Sequence, residues 1–140
     1  TLSQFGIQSE LHILSAHRTP REAGEFAQSA KERGFGVIIA GAGLAAHLPG
    51  VMASWTTVPV IGVPLSSQAL AGLDSLYAIV QMPPGIPVAT VGIDNAKNAA
   101  ILAVQILALA DPALEVKLLE FRKKQAEAVL EDDRQLRGDV

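Results

Sequence analysis

The 140 residues contain no cysteine. That excludes a disulfide framework, a thiolate nucleophile and a cysteine zinc site, and it is compatible with a reducing compartment. Aromatic residues make up only 4% of the chain, whereas 49% is hydrophobic and 18% charged. A core is therefore to be built from alanine, valine, isoleucine and leucine, in a compact α/β balance rather than a disordered one. Positive charge is not in surplus: the formal net charge is -3. A general nucleic-acid or anionic-membrane binder needs the opposite sign, so an anionic ligand has to be met by local groups. Long apolar runs are missing as well. The longest, Ala99 to Ala110, is interrupted by Gln105 and is too short to span a bilayer. No basic segment followed by a cleavage site opens the chain, and the expectation is a soluble cytoplasmic protein that binds neither nucleic acid nor membrane. The histidines, His12, His17 and His47, are scattered without the spacing of a metal site, so no metal is expected.

Four short apolar runs are present: Leu11–Leu14, Val37–Ala40, Val58–Val63 and Val88–Ile93. The last three show little polar alternation, as strands covered on both faces do. Helical spacing lies between them. Ala23, Phe26, Ala27 and Ala30 form one stripe that stops at Gly34, and Thr19-Pro20-Arg21-Glu22 reads as its N-terminal capping box with Pro20 at the first helical position. Ala45–Trp55 is the next helix, delayed or perturbed by Pro49-Gly50. Leu70, Leu73, Leu76, Tyr77 and Val80 mark a third, begun near Ser66 or Ser67, and Asn95–Ala110 a fourth that is apolar nearly all round. Met82–Pro87 is a rigid turn in which a cis peptide would be at home. Strands alternating with helices give βαβ units, a parallel sheet and right-handed crossovers. No boundary divides residues 1–140, which read as one domain. From Asp111 the chain becomes rich in both charges, and 113–131 reads as a C-terminal helix, either folding back on its own core or making a subunit contact.

In an open parallel sheet, ligands bind outside the carboxyl ends of the strands, where loops and helix starts converge. The residues that follow the four runs are Ser15, His17 and Arg18; Gly41 to His47; Pro64, Ser66 and Ser67; and Asp94, Asn95 and Lys97. The small residues Gly41-Ala42-Gly43 allow close backbone approach, although the GxGxxG and Walker patterns are absent. Each candidate has a plainer reading. His17 could bond across its loop, Arg18 could be a surface charge, His47 could pack among alanines, His12 reads as structural, and Asp74 as the partner of a helix end or loop. Ser15 lies in no GxSxG elbow, so a Ser-His hydrolase is a poor fit. A histidine without metal, thiol or activated serine points to proton transfer, and an arginine beside a helix start suits a phosphate.

The stretches SAHRTP, AGAGLAAHLPG, PVIGVP and LDSLYAIVQMPPGIPVATV, with the helix containing Asn98-Ala99-Ala100, closely resemble the class I N5-carboxyaminoimidazole ribonucleotide mutases of bacterial purine biosynthesis, the catalytic subunit of phosphoribosylaminoimidazole carboxylase. The resemblance covers nearly the whole chain in order. It implies a flavodoxin-like three-layer αβα sandwich and a homo-octamer, with active sites at subunit junctions. It implies a reaction without cofactor or metal, in which a carboxylate moves from N5 to C4 of the imidazole through trapped CO2. His17 matches the catalytic, proton-shuttling histidine. Ser15 and Arg18 would hold the ribotide, Ala42, Gly43 and Leu48 would wall the carboxylate pocket, His47 matches a second histidine there, and Ser67 joins the substrate contacts.

Departures accompany the resemblance. Leu44 stands where the family usually has glycine, and the Ile93–Asn98 stretch is shortened. Family members open with a strand leading into Gly-Ser-x-Ser-Asp, whose serine and aspartate bind phosphate and ribose, and these 140 residues contain no such segment. The chain is therefore expected to be a fragment of a longer product that binds ribotide poorly as it stands, with the strands beside a missing central one left unpaired. Two rival functions remain: a carboxylase using free CO2 and aminoimidazole ribonucleotide, and a non-catalytic flavodoxin-like assembly module.

Overall fold

The computed structural model describes residues 1–138. After a single 3-10 turn at Leu2–Phe5, the elements run α1 (Pro20–Ser29), β1 (Ile38–Gly43), α2 (Leu48–Trp55), β2 (Val60–Leu65), α3 (Leu73–Val80), β3 (Ala89–Thr90), α4 (Ala96–Ala108) and α5 (Pro112–Arg137). The three strands form one parallel sheet in the order β1-β2-β3, with Ile38 opposite Val60 and Ile61 opposite Ala89.

β2 is central, and Val60 to Pro64 are buried without a break, which is why the run shows no polar alternation. Successive side chains serve opposite faces. Ile38, Ala40 and Val60 pack with Ala27 and Ala30 behind α1 and with Met52 of α2, while Ile61 and Val63 meet Ala99 and Ala103 of α4. α3 joins the first face through Ile79, against which Gly62 lies without room for a side chain. α5 is held by Leu114 and Leu118, which pack with Val104 and Phe5, and by the Lys117 ammonium, which donates to the Phe5 carbonyl at 2.8 Å. Beyond Phe121, the residues of α5 are exposed. Helices thus cover both faces, as the three-layer expectation required.

Several expected boundaries move, each for a local reason. α2 starts at Leu48 because Pro49 takes its first turn. α3 starts at Leu73, not near Ser66, because Ala71 and Gly72 have φ of 51° and 91° and no helix propagates through that conformation. The fourth run narrows to Ala89–Thr90, with one further bond from the Val91 amide to the Gly62 carbonyl before the chain turns at Gly92–Asn95. The Met82–Pro87 turn has no cis peptide, and no cis bond occurs among the described residues. It turns through Pro84-Gly85, with Gly85 at φ 100° and the Ile86 amide donating to the Pro83 carbonyl. Thr19 does not cap α1 through its side chain.

The largest correction concerns Leu11–Leu14. This run is not a strand: no backbone hydrogen bond ties residues 8–14 to another element among the described residues, and Leu11 and Ile13 are 96% and 100% exposed. Residues 7–14 line one wall of a cleft of about 990 Å³ whose opposite wall is the open edge of β1. The sequence pattern identified a strand-competent segment, but pairing needs a neighbour at hydrogen-bonding distance.

Candidate active site

The loops that follow Leu14, β1, β2 and β3 meet at one end of the sheet, the carboxyl end. Ser15–Thr19 forms a single tight turn. The Thr19 hydroxyl accepts from the Ser15 amide at 2.8 Å and donates to the Ser15 carbonyl at 3.2 Å, and the Ser15 hydroxyl accepts from the Arg18 amide at 3.2 Å. Thr19 is therefore a clasp for the loop, not the cap that its position before Pro20 suggested. The clasp holds the His17 and Arg18 side chains outward, both exposed, while Ser15 is half-buried.

His17 finds a partner across the chain. Its Nε2 lies 2.8 Å from Nδ1 of His47, with the rings edge-on and their centroids 4.9 Å apart. His47 stands at the N-terminal boundary of α2, its amide bonded to the Ala45 carbonyl at 2.8 Å. The packing role that its alanine-rich surroundings suggested does not hold, since its ring is exposed and faces His17. A nitrogen-to-nitrogen bond of this length needs one ring to donate and the other to accept, so the contact holds a single proton between two bases. Such a pair is chemically able to pass a proton from one ring to the other, and the exposed Arg18 next to His17 carries a positive charge.

Ala42 and Gly43 close β1 and are half-buried. A Cβ built on Gly43 would lie 3.6 Å from Cβ of Leu65, the last residue of β2. Leu44 follows at φ 57°, a left-handed conformation that costs a leucine about 1 kcal/mol, and its side chain is exposed. Leu48, half-buried, packs against the core cluster under α1 and α2, so it supports the loop from below.

A second tie joins the other two loops. Asp94, at φ 55°, donates its amide to the Pro64 carbonyl at 2.8 Å, and its carboxylate accepts from the Ser66 amide at 2.9 Å. Hydrogen bonding from the Ser66 hydroxyl and then from its amide holds the Asp94 carboxyl below its ordinary range. Ser67 donates to the Asp74 carboxylate at 3.4 Å, which confirms Asp74 as a loop partner. Sequence reading missed Ser75. Fully buried, it donates its hydroxyl to the Leu65 carbonyl at 2.8 Å and pins α3 to the end of β2. A serine at helical spacing among apolar residues was the available signal. The site thus has two braced pairs of loops, Ser15–Thr19 with His47 and Ser66–Ser67 with Asp94, joined through the adjacent ends of β1 and β2. No cluster of histidine, aspartate and glutamate able to hold a metal exists among the described residues.

The chain matches the family model described as AIR carboxylase over residues 1–128. A relative from Pyrococcus horikoshii named N5-carboxyaminoimidazole ribonucleotide mutase is 58% identical over 135 residues, covering 96% of this chain and 76% of its own length. A relative of the same name from Thermotoga maritima is 56% identical over 135 residues, covering 96% of this chain and 79% of its own. Among solved structures, Treponema denticola PurE superposes with a TM-score of 0.84 at 29% identity, covering 96% of this chain and 84% of that one. A sheet edge built around paired imidazoles, and a match that runs through nearly every element, place the chain in the AIR carboxylase family.

Proposed function

We propose that this chain is an N5-carboxyaminoimidazole ribonucleotide mutase, an isomerase of purine biosynthesis that moves the carboxylate of its ribonucleotide from N5 to C4. The observation that carries the reading is the identity of 58% and 56% to relatives of that name across 96% of the chain. The exposed His17–His47 pair at the carboxyl edge of the sheet supports it.

The reaction needs one proton moved and one carbon re-bonded. The N5–carboxylate bond breaks, leaving its electron pair on nitrogen and CO2 in the pocket. C4 of the electron-rich imidazole then attacks CO2, and the proton on C4 has to leave as aromaticity returns. N5 gains a proton and C4 loses one, so a single imidazole that gives and takes suffices. His17 fills that role, and His47, 2.8 Å away, holds the ring and supplies a second position for the proton. Arg18 and Ser15 hold the ribotide, with Arg18 at its phosphate, and Ser67 adds a hydroxyl. The backbone of Ala42 and Gly43, backed by Leu48, walls the carboxylate pocket. No cofactor enters these steps.

The active form is a cytoplasmic homo-octamer of this single domain, with sites at subunit junctions. α5, including 113–131, makes the subunit contacts; its exposed Val116, Leu119, Val129 and Leu130 support that assignment. No helix among the described residues is long and apolar enough to cross a membrane.

The family description favours one second reading, direct carboxylation of aminoimidazole ribonucleotide by free CO2. An isotope experiment separates the two. With a 13C-labelled carboxylate on N5 and unlabelled bicarbonate in the buffer, the mutase returns a C4 carboxylate that keeps the label, whereas a carboxylase dilutes it. Absence of any C4 carboxylation refutes both.

A further inference from the structure

We infer that Asp94 is a positioning residue for the ribotide: its carboxylate holds the loop from Ser66 to Gly72 through the Ser66 amide, and so fixes the neighbouring Ser67 hydroxyl where the substrate meets it. This role rests on the mutase reading and on Ser67 as a substrate contact.

The backbone beyond β3 shows why a side chain is needed there. The Val91 amide donates to the Gly62 carbonyl at 3.2 Å, and the Asp94 amide donates to the Pro64 carbonyl at 2.8 Å. Between these bonds β2 advances two residues, from Gly62 to Pro64, while its neighbour advances three, from Val91 to Asp94. One residue is extra, and the chain bulges away before α4 begins. In a regular parallel ladder the Ser66 amide would next meet a backbone carbonyl of that neighbour. Asp94 stands there at φ 55° with Oδ1 2.9 Å from the Ser66 nitrogen, so its carboxylate takes the place of the displaced carbonyl.

The rest of the loop is arranged about this bond. Ala71 and Gly72 have φ of 51° and 91°, and the Ala71 amide donates to the Ser67 carbonyl at 3.0 Å. A Cβ built on Gly72 would lie 2.7 Å from Cγ2 of Ile93 and 3.2 Å from Cα of Ser66, so Ile93 seats on the far end of the loop, close to its start. Ser67 follows the bonded amide directly. Its hydroxyl donates to the Asp74 carboxylate at 3.4 Å, which commits the hydrogen and leaves the oxygen to accept from a ligand.

The base of the loop is held separately. Ser75 donates to the Leu65 carbonyl at 2.8 Å and keeps α3 on the end of β2 whether or not Asp94 is present. Asp94 and Ser66 are exposed, so losing their bond is felt by the loop more than by the fold.

The test compares Asp94→Gly, Asp94→Asn, Ser67→Ala and the double variant of Asp94→Gly and Ser67→Ala, each in the 140-residue chain. Glycine and asparagine both tolerate positive φ, so the two Asp94 variants differ in the acceptor and not in backbone strain. Exchange of the Ser66 amide with water is measured by NMR, and KM and kcat with N5-carboxyaminoimidazole ribonucleotide. Asp94→Gly is expected to speed Ser66 exchange and to raise KM, each by ~5-fold or more, with kcat within ~2-fold of the parent. Asp94→Asn, which keeps an acceptor oxygen, recovers both to within ~2-fold. Ser67→Ala raises KM as well, and the double variant raises it no further, because Asp94 acts through Ser67.

Unchanged exchange or KM in Asp94→Gly overturns the inference, as does a loss that falls on kcat instead. Failure of Asp94→Asn to recover, an unchanged KM in Ser67→Ala, or additive losses in the double variant overturn it equally. A parent that neither binds nor converts the ribotide sinks the mutase reading and this role with it, whereas a parent that turns over with a KM indifferent to Asp94→Gly sinks the positioning role alone.

Discussion

Gly62 is a point at which packing alone predicts a measurable loss. It lies in the middle of β2, and a Cβ added there would sit 2.4 Å from Cγ2 of Ile79, 3.1 Å from Cγ1 of Val88 and 3.3 Å from Cβ of Pro49. Carbon atoms prefer ~3.5–4.0 Å, so the first contact is more than an ångström too short. Ile79 is 1% exposed and Pro49 is fully buried, which leaves neither a direction to yield. Overpacking of this kind costs ~1–3 kcal/mol, against which alanine recovers ~0.4–1 kcal/mol by restricting the unfolded chain. Gly62→Ala is expected to destabilise by ~1–2 kcal/mol net, or about 2–8 °C in melting temperature. Urea denaturation of four proteins, the parent, Gly62→Ala, Ile79→Ala and the double variant, isolates the contact. Ile79→Ala alone should cost ~2–5 kcal/mol for its cavity, and at least ~1 kcal/mol less when the Gly62→Ala methyl refills that space. Strict additivity, or a loss below ~0.5 kcal/mol for Gly62→Ala, would refute the packing of α3 on β2.

Other consequences follow from single contacts. Asn95→Ala removes the acceptor of the Asn98 amide, 3.0 Å away at the start of α4, and should cost ~1 kcal/mol in chemical denaturation. Leu44→Gly relieves the left-handed strain but loosens the unfolded chain by a similar amount, so stability should change by less than ~0.5 kcal/mol, whereas β-branched Leu44→Val should be worse than the parent by ~1 kcal/mol or more. The Asp94 carboxyl is held below its usual 3.8 by the Ser66 hydroxyl and amide, so its contribution is present above that value and is lost as pH falls through it and then through the folded-state value. Asp94→Asn, which keeps a side chain tolerant of positive φ, should lose less stability on acidification than the parent; the denaturation midpoint measured from neutral pH to below pH 3.8 checks this.

The parts of the fold legible in the chain were those set by local pattern. β2 could be read because Val60–Pro64 is apolar without a break and is covered on both faces, and α4 because Asn95–Ala110 is a long run that is apolar nearly all round. Leu11–Leu14 carries the same kind of signal and forms no strand, since sequence shows the propensity to pair but not whether a partner edge lies alongside. Thr19 illustrates a second limit: its spacing from Glu22 matched a capping box, yet the hydroxyl closes the Ser15 turn, an alternative of similar energy that spacing cannot rank. In the site, His17, Ser15 and Arg18 were legible because three polar residues stood after an apolar run with no cap to explain them. The bond between His17 and His47 was not, because 30 residues separate them and only the packing of α1 and α2 beside β1 brings their loops together. The pairing of Ser66 with Asp94 was hidden for the same reason.

The central claim is that His17 carries the proton. The direct measurement is turnover by His17→Asn, followed by 13C NMR with N5-carboxyaminoimidazole ribonucleotide labelled at its carboxylate, alongside calorimetric binding of the ribotide. The account predicts that binding is retained within a few-fold while transfer of the label to C4 slows by ~10²–10⁴-fold. Transfer at close to the parent rate, with the variant folded and binding normally, would contradict it.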